Sequence, residues 1–187
     1  MGRIPRNCLL YDGCFAHIIS RSIDKRRIFE NEKDFEFFKN LLSSGKKEYG
    51  FCLYHYCLMH THFHLVVRIG EVENFSKGMH RIKWDYTKEY NQRHNRRGPL
   101  WQNRFKSLLI ENEKYLYACG LYIENNPNRA SLVREAEQWE HSSSRHYANI
   151  TQDPLIDNYD TTNLSLDADL KEELDFERGF GIGSGWF

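Results

Sequence analysis

The chain has 187 residues, of which 40% are hydrophobic and 28% charged, a length and composition that suit one domain with a hydrophobic core and a tail. It contains no apolar run of about 18 residues, so no membrane span is expected, and its N-terminus lacks the apolar stretch of a signal peptide. The five cysteines show no paired C-x-x-C spacing, which argues against a cysteine zinc site and predicts a reduced, cytoplasmic setting.

The formal net charge of zero conceals a division of charge along the chain. Residues 151–187 hold nine acids and two bases, a net charge of −7, whereas residues 1–150 hold 17 acids and 24 bases, a net charge of +7. A basic body is typical of a protein that binds a phosphate backbone, although uneven charge also favours solubility. We therefore predict a folded domain over residues 1–150 and an acidic, flexible tail over residues 151–187. The tail either is a solvated extension or lies over the body in place of DNA.

The hydrophobic pattern predicts four strands and three long helices, with a loop between Gly45 and Gly50. The strands are predicted at residues 14–23, 51–59, 62–69 and 100–111, and the helices at residues 31–44, 73–95 and 113–126. This β-α-β-β-α-β-α order indicates an α+β fold, a ferredoxin-like antiparallel sheet with helices packed on one face.

A pair of histidines lies at the start of the third predicted strand, in the segment H-T-H-F-H-L-V-V. Side chains two residues apart on a strand share one face, so His62 and His64 should point the same way. Two imidazoles on one strand can share a metal ion, although such a pair is as often an ordinary polar position. His60 is either a turn residue or a further ligand, and His55 is interpreted as an ordinary paired histidine.

The third predicted helix, over residues 113–126, carries a tyrosine and an amide on one face. Tyr122 and Asn126 are four residues apart, which places them one turn from each other. This arrangement fits a nucleophile beside a metal ligand, and the alternative is an amphipathic helix whose tyrosines pack in the core. Tyr115 lies on the same face about 10 Å away, and Tyr117 faces elsewhere.

Basic residues and a tryptophan follow the second predicted helix and continue into the fourth strand. Cations can follow phosphates while an aromatic ring stacks on an unpaired base, and the alternative for each charge is a solvated helix face. The candidate nucleic-acid-binding residues are Arg81, Lys83, Lys88, Arg93, Arg96, Arg97, Trp101, Arg104 and Lys106, together with Arg129, which either holds a phosphate or caps the fold.

Five segments in order resemble the REP-associated tyrosine transposases, a group of single-tyrosine HUH transposases of insertion sequences. The segments are S-R-S-I-D-K-R-R-I-F, the H-x-H pair, L-W-Q-N-R-F-K-S, Y-I-E-N-N-P-N-R-A and W-E-H-S-S-S-R-H-Y. The resemblance runs from about Gly13 to Tyr147. One departure lies directly before the histidine pair, where the family usually has Pro-Asn and this chain has His60 and Thr61.

The resemblance implies an HUH endonuclease fold and the metal-dependent cleavage and transfer of single-stranded DNA, with hairpin or REP-like DNA as the partner. Tyr122 would be the nucleophile and form a 5′-phosphotyrosine link, and His62, His64 and Asn126 would hold Mg²⁺ or Mn²⁺. The resemblance also leaves a homodimer open, since relatives with this chemistry can act as dimers. Two other functions stay open: a non-catalytic module that binds DNA or RNA, and a metallohydrolase without a covalent step.

Overall fold

The computed structural model describes residues 10–159, and these form an α+β fold around one antiparallel sheet. The strands are β1 (Phe15–Arg21), β2 (Phe51–Met59), β3 (His62–Ile69) and β4 (Lys106–Ile110). Their order in the sheet is β2-β3-β1-β4, and every neighbouring pair is antiparallel. The predicted ferredoxin-like fold class is therefore confirmed. The two central strands, β1 and β3, are adjacent although they are far apart in sequence.

Three long helices and two short ones complete the fold. They are α1 (Glu32–Tyr49), α2 (Val72–Arg93), α3 (Glu113–Glu124), α4 (Asn126–Arg129) and α5 (Ser144–Tyr147). The helix α1 passes through Gly45 and ends at Gly50, which has a φ of 64°, so the prediction of a loop between these two glycines is wrong. Gly45 lies against Ile82 of α2, where a Cβ atom would meet the Ile82 side chain at 2.6 Å. The glycine therefore leaves room for the Ile82 side chain between the two helices and is not part of a turn.

The two faces of the sheet carry different helices. Helices α1 and α2 pack on one face, where Phe38, Phe63 and Tyr86 belong to the larger hydrophobic core. Helix α3 packs on the opposite face, against a smaller core that includes Val66 and Cys119. The prediction that the helices pack on one face therefore holds for α1 and α2 but not for α3. On the opposite face of the sheet, strand residues such as Val66 and Ile110 are also apolar, and α3 packs on them.

The segment before β4 is not regularly paired with β1, so the fourth strand is shorter than the predicted 100–111. Trp101 forms an isolated bridge with Ser22, and the backbone N–H of Gln102 donates to the carbonyl of Arg21 at 3.0 Å. Regular pairing with β1 then begins at Lys106. These contacts hold the segment at the end of β1, close to the site described below.

The chain after α4 returns to the outer strand β2. The backbone N–H of Leu58 donates to His141 O, and that of Ser143 donates to Tyr56 O, both at 2.9 Å. Such bonds cover an edge strand that would otherwise be open to another chain. The W-E-H-S-S-S-R-H-Y segment therefore has a structural function in protecting β2.

Residues 151–159 pack on the body and are not part of a free tail. Leu155 and Ile156 are buried in the larger core, and the Asp157 carboxylate lies 2.7 Å from Lys46 Nζ. The backbone N–H of Asp157 also donates to Leu53 O at 2.8 Å. The predicted boundary at residue 150 thus moves to at least residue 159, and the remainder of the predicted tail lies outside the described residues. Within residues 10–159 no helix is long and apolar enough to span a membrane.

Candidate active site

His62 and His64 lie on the face of β3 that α3 covers, as the i, i+2 spacing predicts. Their rings are perpendicular, with centres 5.0 Å apart. His64 is buried and His62 is half-buried at the start of the strand. The strand therefore presents two neighbouring imidazoles to the same space.

A third histidine, His17 on β1, completes this cluster and was missed by the sequence analysis. Its Nε2 lies 2.9 Å from Nδ1 of His64, and the two rings stack with centres 5.1 Å apart. The only signal in the sequence is that His17 alternates with the core residues Ala16 and Ile18. That signal becomes informative only once β1 is known to be the neighbour of β3.

The surroundings of the three histidines keep them uncharged. Burial lowers the pKa of His17 to about 3. Burial, together with the nearby positive charge of Arg21, lowers the pKa of His62 to about 4, and burial holds the pKa of His64 well below its usual range. All three imidazoles are therefore neutral near pH 7, and neutral imidazole is the form that binds a metal ion.

Tyr122 lies in the last turn of α3, and Asn126 is the first residue of α4, because α3 ends at Glu124 and not at residue 126 as predicted. Tyr122 is half-buried and packs against the smaller core. The Asn126 side chain is buried, and its Nδ2 donates to Tyr122 O at 3.2 Å and to Ile123 O at 3.1 Å. Because carbonyls only accept, the amide nitrogen must face the helix and the amide oxygen must point away from these carbonyls.

Two arginines interact with Tyr122. The Arg129 guanidinium lies 4.9 Å from the centre of the Tyr122 ring. Burial lowers the pKa of Arg21, and attraction to the Tyr122 hydroxyl acts in the opposite direction. The charge of Arg21 also contributes to the low pKa values of His62 and His64. Arg21 thus connects the tyrosine to the histidine pair electrostatically. The sequence analysis named Arg129 but gave no function to Arg21.

An open pocket of about 580 Å³ lies at this end of the sheet. Its lining includes His62, three cationic side chains and one carboxylate. The charged residues are Arg21, Lys25, Arg129 and Asp24, and Gln102 contributes an amide. Three cations and one carboxylate give this opening a net positive charge beside His62, which favours anions, whereas His64, Tyr122 and Asn126 are not part of its lining.

Three of the predicted nucleic-acid-binding residues have structural partners within the protein. Lys83 is buried, and its Nζ donates to Asn103 O at 2.9 Å. Arg93 pairs with the buried carboxylate of Asp34 at 2.9 Å. The Trp101 indole donates to Lys83 O at 3.1 Å, and its ring packs against the larger core. The assignment of Lys83 is corrected, because its side chain is buried, whereas Arg93 and Trp101 are partly buried and their contact with DNA stays a prediction.

The other predicted cations divide between two surfaces. Arg81 and Lys88 are exposed on α2, in the layer opposite the histidines, and Arg81 pairs with Asp85 at 2.6 Å. Arg96 is half-buried with its guanidinium over the Tyr90 ring. The exposed cations of the segment that leads into β4 and along it are Arg97, Arg104 and Lys106.

The two histidines left open by the sequence have structural partners. His60 Nδ1 lies 2.8 Å from Phe29 O, and the His60 carbonyl accepts from Ile28 N at 2.7 Å. These contacts favour the turn-residue interpretation over that of a further ligand. His55 Nδ1 lies 2.7 Å from Glu124 Oε1, so it is a paired histidine as expected.

By donor type alone, His62, His64 and Asn126 would suit a divalent metal ion of intermediate hardness. Neutral imidazole nitrogens and an amide oxygen suit Mn²⁺, and Mg²⁺ binds less readily because it prefers oxygen ligands. Within the described part of the chain, no three or more His, Cys, Asp or Glu side chains form a group that could hold a metal ion. Any ion here therefore depends on the amide, on water and on a bound phosphate.

Comparison with known proteins adds the family context. Residues 11–126 match the family described as "Transposase IS200 like". The fold is similar to that of a REP-associated tyrosine transposase bound to a REP hairpin, with a TM-score of 0.65, 18% identity and coverage of 88% of this chain and 96% of that one. A transposase described as putative, from Deinococcus radiodurans R1, matches with a TM-score of 0.43 and 19% identity over 67% of this chain and 95% of that one. No curated protein matches the sequence.

Proposed function

Because the chain belongs to the IS200-like transposase family, we propose that this transposase cleaves and rejoins single-stranded DNA through a covalent bond to Tyr122. The observation that carries the proposal is the arrangement of charge around that side chain. Arg21 acts electrostatically on Tyr122 and on both His62 and His64, and Arg129 covers the tyrosine ring. A tyrosine with two cations, one of which also acts on the pair of neutral imidazoles, is suited to phosphoryl transfer.

The covalent step forms one bond and breaks one bond at phosphorus. The Tyr122 oxygen attacks the scissile phosphate and the phenol proton passes to water. The bond from phosphorus to the 3′ oxygen breaks, and that oxygen takes a proton from water. The products are a 5′-phosphotyrosine and a free 3′-hydroxyl. A free tyrosine is a weak nucleophile near pH 7, so Arg21 and Arg129 would stabilise the negative charge that develops on its oxygen and on the phosphate.

His62 and His64 would hold a divalent ion through ring nitrogens, and Asn126 through its amide oxygen. When bound, such an ion polarises the phosphate oxygens and stabilises the charge of the transition state. The surroundings of the two imidazoles support the proposal, because burial and nearby positive charge lower their pKa values and so favour the neutral form that binds a metal ion. We propose Mg²⁺ as the ion used in the cell and tighter binding of Mn²⁺ in vitro.

The pocket beside His62 is the proposed path of the DNA strand. Arg21, Lys25 and Arg129 would neutralise consecutive phosphates there, and the exposed Arg104 and Lys106 lie on the neighbouring segment. The solved structure with the similar fold is bound to a REP hairpin, so hairpin DNA is the proposed substrate class.

Trapping a DNA–protein adduct tests this function. A single-stranded oligonucleotide with a hairpin would be incubated with the protein and Mn²⁺, and the products separated under denaturing conditions. A covalent adduct whose nucleotide maps to Tyr122 by mass spectrometry supports the proposal. Binding without cleavage would indicate a non-catalytic module, and cleavage without an adduct would indicate a metallohydrolase.

A further inference from the structure

The contact between His17 and His64 limits how His64 can bind a metal ion. His17 lies on β1 and is fully buried, and its Nε2 is 2.9 Å from Nδ1 of His64. This contact occupies Nδ1 of His64. The other ring nitrogen, Nε2, is therefore the one through which His64 would bind an ion together with His62.

The direction of that hydrogen bond decides whether Nε2 of His64 can bind a metal ion. A neutral imidazole carries one proton, so one ring nitrogen donates while the other accepts or binds a metal. If His17 Nε2–H donated, His64 would carry its own proton on Nε2, and that nitrogen would have no lone pair for a metal. If His64 Nδ1–H donates, Nε2 of His64 keeps a lone pair that is available to a metal ion.

We propose that His17 is a positioning residue that accepts the Nδ1–H of His64 and so presets the tautomer that ligates metal. The inference rests on the proposed function, since it takes His64 to be a metal ligand. Outer partners of this kind orient ligating histidines in metal sites, where carboxylates and carbonyls usually fill the place that an imidazole takes here. The stacked rings, with centres 5.1 Å apart, also fix the orientation of His64.

Two substitutions separate the hydrogen bond from the packing. His17→Phe keeps a ring against His64 but removes the acceptor, and His17→Gln supplies an amide oxygen in place of Nε2. We expect His17→Phe to weaken Mn²⁺ binding about 10- to 100-fold, measured by calorimetry or electron paramagnetic resonance, and His17→Gln to restore an affinity close to that of the wild type. Equal loss in both variants, or no loss in His17→Phe, would overturn the inference. Thermal unfolding of each variant shows whether the fold is retained.

The tautomer itself can be observed without any metal ion. In the wild-type protein labelled with ¹⁵N-histidine, His64 should carry its proton on Nδ1 and His17 should have an unprotonated Nε2. A proton on Nε2 of His64 contradicts the inference directly, whether or not His17→Phe folds.

The Mn²⁺ affinities of the wild type, His64→Ala and His17→Phe distinguish a failure of this inference from a failure of the proposed function. If the wild type binds Mn²⁺ and the affinity falls in His64→Ala but not in His17→Phe, only the function of His17 is wrong. If the wild type binds no Mn²⁺, the proposed metal site fails and the inference fails with it.

Discussion

The Arg129 guanidinium lies over the ring of Tyr122, 4.9 Å from its centre. The short helix α4 makes this possible, because it begins directly after α3 and turns the chain so that Arg129 returns over the tyrosine. A cation on a ring face both restrains the ring and places positive charge near its hydroxyl. The same guanidinium lines the pocket in which we place the DNA strand.

Replacing Tyr122 with phenylalanine should abolish the DNA adduct and leave DNA binding intact. The change removes only the hydroxyl that we propose as the nucleophile and keeps the ring under Arg129. Adduct formation on a denaturing gel and hairpin affinity by fluorescence anisotropy measure the two properties. Tyr115→Phe and Tyr117→Phe are the matched controls on the same helix and should keep the adduct. Loss of the adduct in a control with retention in Tyr122→Phe would assign the nucleophile elsewhere.

Replacing Arg129 with glutamine should weaken the binding of single-stranded DNA and make it less sensitive to salt. Log affinity falls linearly with log salt concentration. The loss of one phosphate contact makes this slope less steep by about 0.7 for a single strand. The comparison is Lys88→Gln, which removes an exposed cation in the layer opposite the histidines. Its affinity should match that of the wild type at each salt concentration. Equal weakening by both substitutions would show that binding follows total charge and not the pocket.

Replacing Glu124 with alanine should destabilise the protein by about 3 kcal/mol, since it leaves the buried His55 and Ser143 without a hydrogen-bond partner. The Glu124 carboxylate accepts from Ser143 Oγ and lies 2.7 Å from His55 Nδ1, which ties α3 to β2. Urea unfolding measures the loss. Lys114→Ala removes an exposed side chain of the same helix and should change the free energy of unfolding by less than about 0.5 kcal/mol. A small loss in Glu124→Ala would mean that α3 is held by its apolar face alone.

The stability of the protein should decrease between about pH 6.5 and pH 4, in part through His141. Burial, with the charges of Lys39 and His60, lowers the pKa of His141 to about 4 in the folded state. Below the unfolded pKa of about 6.5, His141 binds a proton in the unfolded chain but stays neutral in the folded protein until about pH 4. Acid therefore favours unfolding. The contribution is at most about 1.4 kcal/mol per pH unit.

The substitution His141→Phe isolates this effect. Phenylalanine keeps the stacking on Phe35, whose ring centre lies 3.5 Å from that of His141, but it cannot be protonated. The free energy of unfolding of the variant should decrease less steeply than that of the wild type between pH 6.5 and pH 4. Above pH 7.5 the two curves should run parallel. Identical slopes throughout would show that His141 does not titrate abnormally.

The sequence predicted the parts of the site that lie within one element. The spacing of His62 and His64 on a strand depends only on local geometry, and Asn126 contacts the Tyr122 carbonyl although it begins the next helix. The position of His17 depends on the pairing of β1 with β3, strands separated by a helix and another strand. Local periodicity carries no information on such pairing.

The charged residues show the same limit. The predicted basic stretch is continuous in sequence, but the fold buries Lys83 and pairs Arg93 with the buried Asp34. It leaves Arg81 and Lys88 on the layer opposite the histidines. The cations that do line the pocket include Arg21, which is isolated in sequence from that stretch. Charge density along the chain therefore predicts that nucleic acid binds but not where.

Two truncations test whether the acidic C-terminal residues compete with DNA. Ending the chain after Tyr159 removes seven acids and two bases but keeps the contacts of Leu155, Ile156 and Asp157. If these acids lie over the basic body, the shortened protein should bind DNA several-fold tighter at low salt. The difference should fade as salt rises, because exposed charges interact over a Debye length of about 8 Å at physiological ionic strength. Unchanged affinity at low salt would indicate a solvated extension without a partner.

The control truncation ends the chain after residue 150 and separates loss of charge from loss of fold. It removes Leu155 and Ile156 from the core, together with the bonds from Asp157 to Lys46 and Leu53. Burial of two such apolar side chains stabilises by about 3–6 kcal/mol, so this protein should unfold at much lower urea concentration than the wild type. The protein that ends at Tyr159 should unfold near the wild-type concentration. If it is destabilised as well, the residues beyond 159, with Trp186 and Phe187 as the apolar candidates, contribute to the stability of the body.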